Sequence, residues 1–312
     1  MFVQEIAQEH AAAAVEGHAG KFDAGETIIH HVANSSLSDP LIHLPTIMGI
    51  DFSVTKHVMM LWVVAALLLV VLSWAVRRYL KQDRLIPSGF MNALEAVVVF
   101  IRDEIVQPNV GKKWVSTWAP LLLTLAFFIF TANAIGLIPI FDVLGLLDHF
   151  VLHTGEESLV KHLMHGGTTA TANYNVTAAL ATITFGAIII AGTKAHGVVK
   201  HWMNLVPPGL AWPIYILLIP IEIMGMFVKP FALTMRLAAN MTGGHIAILA
   251  LLSLTFLFAE IGGGAVGIGA GVLTLPLSAG ISLLEVIVVL VQAYVFTLLT
   301  AVFVGMAIHV HH

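Results

Sequence analysis

Residues 209–259 read GLAWPIYILLIPIEIMGMFVKPFALTMRLAANMTGGHIAILALLSLTFLFA, an apolar stretch with three charged side chains, Glu222, Lys229 and Arg236. As one straight helix it would be longer than about 60 Å, whereas the hydrocarbon core of a bilayer is about 30 Å thick. A second apolar stretch, at 268–308, has the same property. Each stretch is therefore either two membrane spans or one long, strongly tilted helix, and the glycine run 262–264 is the clear turn between them.

The whole chain has the composition of a membrane protein. Of its 312 residues, 58% are hydrophobic and 10% are charged, against about 45–50% and about 25% in ordinary soluble domains. This excludes a soluble enzyme, and the net charge of −4 offers no field for binding nucleic acid. The absence of cysteine excludes disulfides and thiolate metal sites. We expect an all-α polytopic membrane protein.

The remaining apolar segments divide the chain further. They predict membrane spans at 57–78, 117–141 and 172–192, within a single membrane domain that covers 57–312. The polar segment 1–50 is predicted to be a tail outside the lipid. At 88–107 the apolar residues recur with a period near 3.6, which indicates a helix lying on the membrane surface or one packed against another subunit.

Basic residues after the first predicted span determine the expected orientation. Arg77, Arg78, Lys81 and Arg84 lie within eight residues of one another. By the positive-inside rule that end of the span is cytoplasmic. The N-terminal tail is then extracytoplasmic and the C-terminus cytoplasmic.

Charged side chains inside an apolar stretch are candidates for function, because burying each of them in lipid costs several kcal/mol. Glu222, Lys229 and Arg236 are spaced by seven residues, so they share one helical stripe, which Asn240 joins. For Glu222 and Lys229 the alternative is that both reach toward the interface and neutralise each other. Arg236 has no carboxylate within one helical turn, and its guanidinium is a permanent positive charge. We therefore expect its partner to come from elsewhere.

Two further polar groups lie within the long apolar stretches. Glu285 and Gln292 are seven residues apart and point the same way, and His245 is separated from Arg236 by nine residues, which is half a rotation. His245 and Arg236 should therefore serve different surfaces. His245 is either an ordinary core histidine or the partner of Glu285. No nucleotide-binding or metalloprotease motif is present, so we expect no catalytic residue, no metal site and no cofactor.

These residues resemble subunit a of the F-type ATP synthases, the stationary proton channel beside the rotating c-ring. The resemblance is strongest in Pro220-x-Glu222, Lys229-Pro230, Leu233-x-Met235-Arg236-Leu237, Asn240-Met241-x-Gly243-Gly244-His245, Glu285 and Gln292-Ala293-Tyr294-Val295-Phe296. Weaker support comes from Asn133-Ala134-Ile135-Gly136-Leu137-Ile138-Pro139 and from Asn173-x-Asn175-Val176-Thr177. Many bacterial relatives carry a carboxylate where this chain has His245 and a histidine where it has Glu285, so the pair looks exchanged here.

The resemblance implies a function without a chemical step in this chain. It implies that protons pass through two offset half-channels, using Arg236, Glu285, His245, Asn240, Gln292 and Glu222. It also implies that Arg236, Leu233 and Leu237 face the ring and that each long stretch is one helix, strongly tilted around the ring. The fold then has about five membrane helices and one interfacial helix. The implied partners are the c-ring, the peripheral stalk subunit b, other ATP synthase subunits and the lipid bilayer. The implied location is a bacterial plasma membrane, with the chain crossing it several times.

Two other functional classes remain open from the residues. One is a redox membrane subunit that binds haem or quinone, although haem needs two facing histidines and only His245 is deep. The other is a secondary transporter, which the lack of an internal repeat disfavours.

Overall fold

The computed structural model describes residues 23–25, 28–29, 44–45, 53–81, 86–137, 169–204 and 212–309. Within these ranges five helices are long and apolar enough to cross a membrane. This confirms the prediction of an all-α polytopic membrane protein. Most of the predicted tail at 1–50 and the acidic, histidine-containing segment before residue 169 lie outside the described residues.

The helices are numbered here in chain order. They are α1 (Lys56–Leu80), α2 (Phe90–Phe100), a π-helical turn (Ile101–Val106), α3 (Gln107–Val110), α4 (Val115–Leu137), a 3-10 turn (Ala170–Ala172), α5 (Tyr174–His196), α6 (Val198–Met203), α7 (Trp212–Gly262) and α8 (Gly264–Ile308). The first three membrane helices overlap the predicted spans, with ends that differ by a few residues. The predicted end of the second span at 141 and the predicted start of the first long stretch at 209 lie outside the described residues.

Each long apolar stretch forms one continuous helix. The lengths of α7 and α8 are 51 and 45 residues, or about 75 and about 65 Å. The alternative of two spans for each stretch is therefore wrong. Gly263 alone separates the helices, with a φ of 81°, a conformation that favours glycine. The second helix begins at Gly264, before the predicted residue 268. Near its start, Gly267 fits directly against Ala259 because it has no side chain.

An antiparallel register relates α7 to α8. The hydroxyls of Thr255 and Thr274 lie 2.6 Å apart near the turn. Farther from it, Met241 packs with Val289. At the other end, Lys229 Nζ lies 5.6 Å from the centroid of the Phe303 ring. The whole length of α8 therefore runs beside α7.

The segment predicted as an interfacial helix at 88–107 covers α2, the π-helical turn and the first residue of α3. No residue of α2 is buried. In the π-helical turn, Ile101, Ile105 and Val106 are buried in a cluster with residues of α4, α5 and α8. Its charged residues Arg102 and Asp103 pair with each other, with Nε and Oδ1 2.7 Å apart. The segment is thus held to the bundle by its C-terminal half.

Two of the other membrane helices pack on α7 and α8, and basic residues collect at one end of the bundle. α4 packs on α8, and α5 packs on both α7 and α8. The end of the bundle at which α1 and α5 finish and α4 begins carries Arg77, Arg78, Lys112, Lys113, Lys194 and Lys200. We call this the basic end. The 3-10 turn and Gly263 lie at the opposite end, which we call the turn end.

Histidines join several helix ends at the basic end. His196 Nε2 lies 2.9 Å from the carbonyl oxygen of Ile308, and His309 Nε2 lies 3.2 Å from that of Val110. The buried ring of His201 fills a notch where Gly192 has no side chain. These contacts connect α5, α6, α8 and α3.

Candidate functional site

Arg236 lies on the outer face of α7. Its side chain is exposed, and it makes no ion pair or hydrogen bond with any residue that the structure describes. Ala232, Ala239 and Gly243 are exposed neighbours on the same face. Small residues allow another helix to approach closely. Among the described residues, the arrangement thus presents a guanidinium without a partner, in an apolar surface that a second helix could cover.

Leu233 and Leu237 do not share this outer face. They are 2% and 1% exposed and pack in one cluster with Leu125, Ala293 and Phe296. The expectation that both face a partner ring is therefore wrong. The physical reason is the rotation of α7 about its axis, which tertiary packing determines. This rotation turns the two leucines on either side of Arg236 into the chain's own core.

His245 and Glu285 meet across the two long helices. Nδ1 of His245 lies 3.7 Å from Oε1 of Glu285. Glu285 is 7% exposed, and its Oε1 has no hydrogen-bond partner among the described residues. The carboxylate fits there because Gly244 has no side chain, since a methyl group at that position would overlap it. The interpretation of His245 as an isolated core histidine is thereby excluded.

The remaining predicted site residues lie at different depths. Asn240 is exposed one turn beyond Arg236. Gln292 is buried on α8, at 6% exposure. Glu222 is half-buried and lies about 21 Å from Arg236 along α7 toward the basic end, whereas His245 lies about 14 Å from Arg236 in the other direction. Arg236 thus separates a carboxylate on one side from the His245–Glu285 pair on the other.

Glu222 and Lys229 do not neutralise each other in the described part of the chain. No ion pair joins them, and the ammonium of Lys229 instead lies over the Phe303 ring, in a cation–π contact. The proposed neutralisation of the two charges is therefore wrong.

Sequence reasoning missed the polar residues that line the turn end beside His245. Thr169 Oγ1 lies 2.8 Å from Nε2 of His245. Thr171 donates a hydrogen bond to Oδ1 of Asn133, and Thr242 donates one of 3.2 Å to the carbonyl oxygen of Ala172. Threonines are common in membrane helices and their ends, so the sequence carries no signal for Thr169. For Asn133 the sequence offers only the family resemblance of its motif.

Together these groups form a polar strip inside an apolar bundle. It contains a titratable pair, His245 and Glu285, with hydroxyl and amide groups on both sides. Such groups can accept and release protons one at a time and can hydrogen-bond water. Within the described ranges, no group of three or more His, Asp or Glu side chains could hold a metal ion. These properties make the strip suited to proton transfer.

Comparison with known proteins agrees with this chemistry. The family model described as "ATP synthase A chain" matches residues 58–305. A protein named "ATP synthase subunit a 2" from Chlorobium luteolum is 41% identical over 98% of this chain and 85% of its own length. "ATP synthase subunit a" from Pelodictyon phaeoclathratiforme is 38% identical, over 98% of this chain and 82% of its own length. "ATP synthase subunit a" from Anaeromyxobacter dehalogenans is 37% identical, over 98% and 76%. The chain therefore belongs to the ATP synthase subunit a family.

Proposed function

We propose that the chain carries protons across the membrane through two offset half-channels beside a rotating c-ring and so couples proton flow to rotation. Membership of the family makes the chain a multi-pass subunit of the proton-translocating F0 sector without a catalytic site of its own. It also sets aside the redox subunit and the secondary transporter. The path, the ring contact and the orientation are our proposal.

The outer half-channel is proposed to run along the polar strip at the turn end. His245, Glu285, Asn240 and Gln292 line it. The 3.7 Å approach of His245 to Glu285 supports this path, because the two groups are close enough to exchange a proton after a small side-chain movement. Protons entering here neutralise a carboxylate on the ring, which can then turn into the lipid.

Arg236 is proposed to stand between the two half-channels and to face the ring. The observation that carries the proposal is that its guanidinium, on an exposed apolar face of α7, has no ion-pair or hydrogen-bond partner in the described part of the chain. A permanent positive charge there favours the ionised form of a passing ring carboxylate and repels protons from a direct path. The small side chains around it leave room for the ring's outer helix.

The inner half-channel is proposed to open at the basic end, where Glu222 lines the exit. Excess Lys and Arg at that end supports a cytoplasmic location by the positive-inside rule, with the N-terminal side extracytoplasmic. Each proton that crosses 100 mV then releases about 2.3 kcal/mol, which the ring converts into rotation. The peripheral stalk subunit b and other ATP synthase subunits are the further partners that we propose.

The test is Arg236→Lys in the assembled ATP synthase, reconstituted in vesicles of bacterial lipid. We expect ATP-driven proton pumping to fall to less than about a tenth, because Lys lacks the planar guanidinium and loses its proton when desolvated. Lys229→Arg is the matched control, a charge-preserving change on the same helix, and should pump normally. Pumping at half the normal rate or better by Arg236→Lys would contradict the role given to this residue.

A further inference from the structure

Thr169 is a completely buried hydroxyl that contacts the proposed proton-transfer pair directly. It is 0% exposed, and its Oγ1 lies 2.8 Å from Nε2 of His245. The other ring nitrogen, Nδ1, is the one that faces Glu285, at 3.7 Å from Oε1. The imidazole is therefore held between a hydroxyl on one side and a carboxylate on the other.

The position of Thr169 is itself determined by several contacts. Its side chain fits against α4 because Gly136 has no side chain; a methyl group there would overlap the threonine hydroxyl. Its carbonyl oxygen accepts a 2.9 Å hydrogen bond from the backbone N–H of Ala172 and so begins the 3-10 turn. The turn is tied to α4 by the Thr171–Asn133 hydrogen bond and to α7 by Thr242. The hydroxyl is thus presented to His245 by a rigid support.

A hydroxyl is suited to this place for a chemical reason. Nε2 of a histidine carries a proton in one neutral tautomer and in the charged form, and lacks it in the other neutral tautomer. The threonine hydroxyl accepts a hydrogen bond in the first two cases and donates one in the third. It can therefore keep the ring in one orientation whichever nitrogen holds the proton, which neither a carbonyl nor an ammonium group could do.

We propose that Thr169 is a positioning residue for His245, which holds the imidazole with Nδ1 toward Glu285 while the ring gains and loses its proton. This inference rests on the proposed function, in which His245 and Glu285 conduct protons. Thr169 comes from a turn between α4 and α5, so a third part of the chain completes a pair built by α7 and α8.

The experiment compares Thr169→Val, which keeps the shape and removes the hydroxyl, with Thr169→Ser, which keeps the hydroxyl. Passive proton flux is measured in vesicles that contain the assembled membrane sector without the catalytic head, driven by a potassium diffusion potential and normalised to the amount of this chain. We expect Thr169→Val to lower the flux about fivefold, which corresponds to one hydrogen bond of about 1 kcal/mol. Thr169→Ser should stay within about twofold of the unaltered chain.

Thr184→Val is the matched control. Thr184 is also 0% exposed, and its hydroxyl lies 3.3 Å from that of Thr300, in the core between α5 and α8. Its replacement removes a buried hydroxyl contact of the same kind without touching His245. The flux of Thr184→Val should therefore remain within about twofold of that of the unaltered chain. Its loss of thermal stability should be similar to that of Thr169→Val.

The outcomes separate this inference from the proposed function. Normal flux with Thr169→Val would overturn the inference, and so would an equal loss with Val and Ser, since packing and not the hydroxyl would then matter. In both cases the proposed function is tested separately by His245→Ala. It stands if that variant blocks the flux. If His245→Ala conducts normally, the proposed function fails, and the role of Thr169 fails with it.

Discussion

Single residues decide whether the two long helices can share a titratable pair. Glu285 reaches His245 only because position 244 is glycine. The Oε1 atom of the buried Glu285 side chain has no hydrogen-bond partner among the described residues. Leaving such an atom unsatisfied costs stability, and exceptions of this kind are typical of functional sites. The contact also gives a physical reason for the exchange of identities between positions 245 and 285 that the family resemblance implies, because an acid and a base would occupy one place in either order.

The contact between His245 and Glu285 predicts how variants of the two residues behave. His245→Glu alone places two carboxylates together, and Glu285→His alone leaves two imidazoles without an acid. Each should lower passive proton flux at least tenfold. The double variant restores one acid and one base at the same place, so flux should recover clearly above both single variants.

Flux through vesicles lacking the catalytic head measures this cycle. Equal amounts of assembled chain in all samples provide the control. A double variant no better than the worse single variant would show that the residues act independently.

His201 predicts a dependence on pH at the basic end. Burial, with the nearby His196 as a smaller cause, lowers the pKa of the His201 ring from its usual value of 6.5. The folded state therefore favours the neutral ring. The full stability of the folded state is present above pH 6.5 and is lost as the pH falls from 6.5 toward the lowered pKa, because the unfolded chain then binds a proton that the folded chain does not. We expect the amides of α6 to lose protection from hydrogen exchange between pH 7.5 and pH 5.

Protection factors, corrected for the intrinsic effect of pH on exchange, give this result in the detergent-solubilised complex. His201→Phe keeps an aromatic ring in the notch and cannot titrate, so its α6 protection should not change with pH. A similar loss in that variant would exclude His201 as the cause.

At the scale of elements, α7 has two faces with separate uses. One face, with Leu233, Leu237 and Met241, is buried in the chain's own core. The other, with Ala232, Arg236 and Ala239, is exposed. Both faces are apolar enough for a membrane, so hydropathy alone does not distinguish them.

The exposed face predicts a pattern of disulfide trapping. The chain has no native cysteine, so single cysteines can be introduced without a background. Ala232→Cys and Ala239→Cys should form disulfides with cysteines on the outer helix of the ring, because both positions lie beside Arg236. Leu233→Cys, one residue away but buried, should not.

Trapping efficiency on non-reducing gels, after mild oxidation of assembled membranes, gives the comparison. Labelling of each cysteine in detergent is the control for its reactivity. Equal trapping at 232 and 233, or none at either exposed position, would contradict the proposed ring-facing surface.

For the whole molecule, the lengths of α7 and α8 determine how the bundle sits in lipid. α7 is 51 residues long and contains Glu222, Lys229, Arg236 and Glu260 as its charged residues. At about 75 Å it exceeds the full membrane thickness of about 45 Å with headgroups. An upright helix would expose long apolar segments such as Leu254–Phe258 to water, so tilting is favoured.

This predicts that the axis of α7 is inclined by more than about 50° from the membrane normal when the whole helix remains within the bilayer. α8 should follow it, because the two helices pack along their length. Electron cryo-microscopy of the assembled complex in a lipid nanodisc measures both angles against the disc plane, with α1, which is 25 residues long, as a nearly upright internal control. An inclination of α7 below about 30° would contradict the prediction.

Several properties of this protein follow from its sequence alone. The membrane class, the apolar stretches, the turn at Gly263 and the unusual position of Arg236 are all visible from composition and spacing. The reason is that hydropathy, glycine punctuation and helical period are local properties, which each segment carries whatever it packs against. The seven-residue spacing predicts that Arg236 shares one helical stripe with Glu222 and Lys229. It does not determine whether that stripe faces the core of the chain or its surface.

Only the tertiary structure decided how these segments meet. It buried Leu233 and Leu237 while leaving Arg236 exposed, it made each long stretch one helix, and it brought Thr169 to His245 from 76 residues away in the chain. Such contacts depend on the rotation and register of several helices at once, which are determined by packing side chains from distant segments together. For that reason a threonine with no distinguishing local pattern became part of the site, and two leucines inside the family's most specific motif did not become part of its surface.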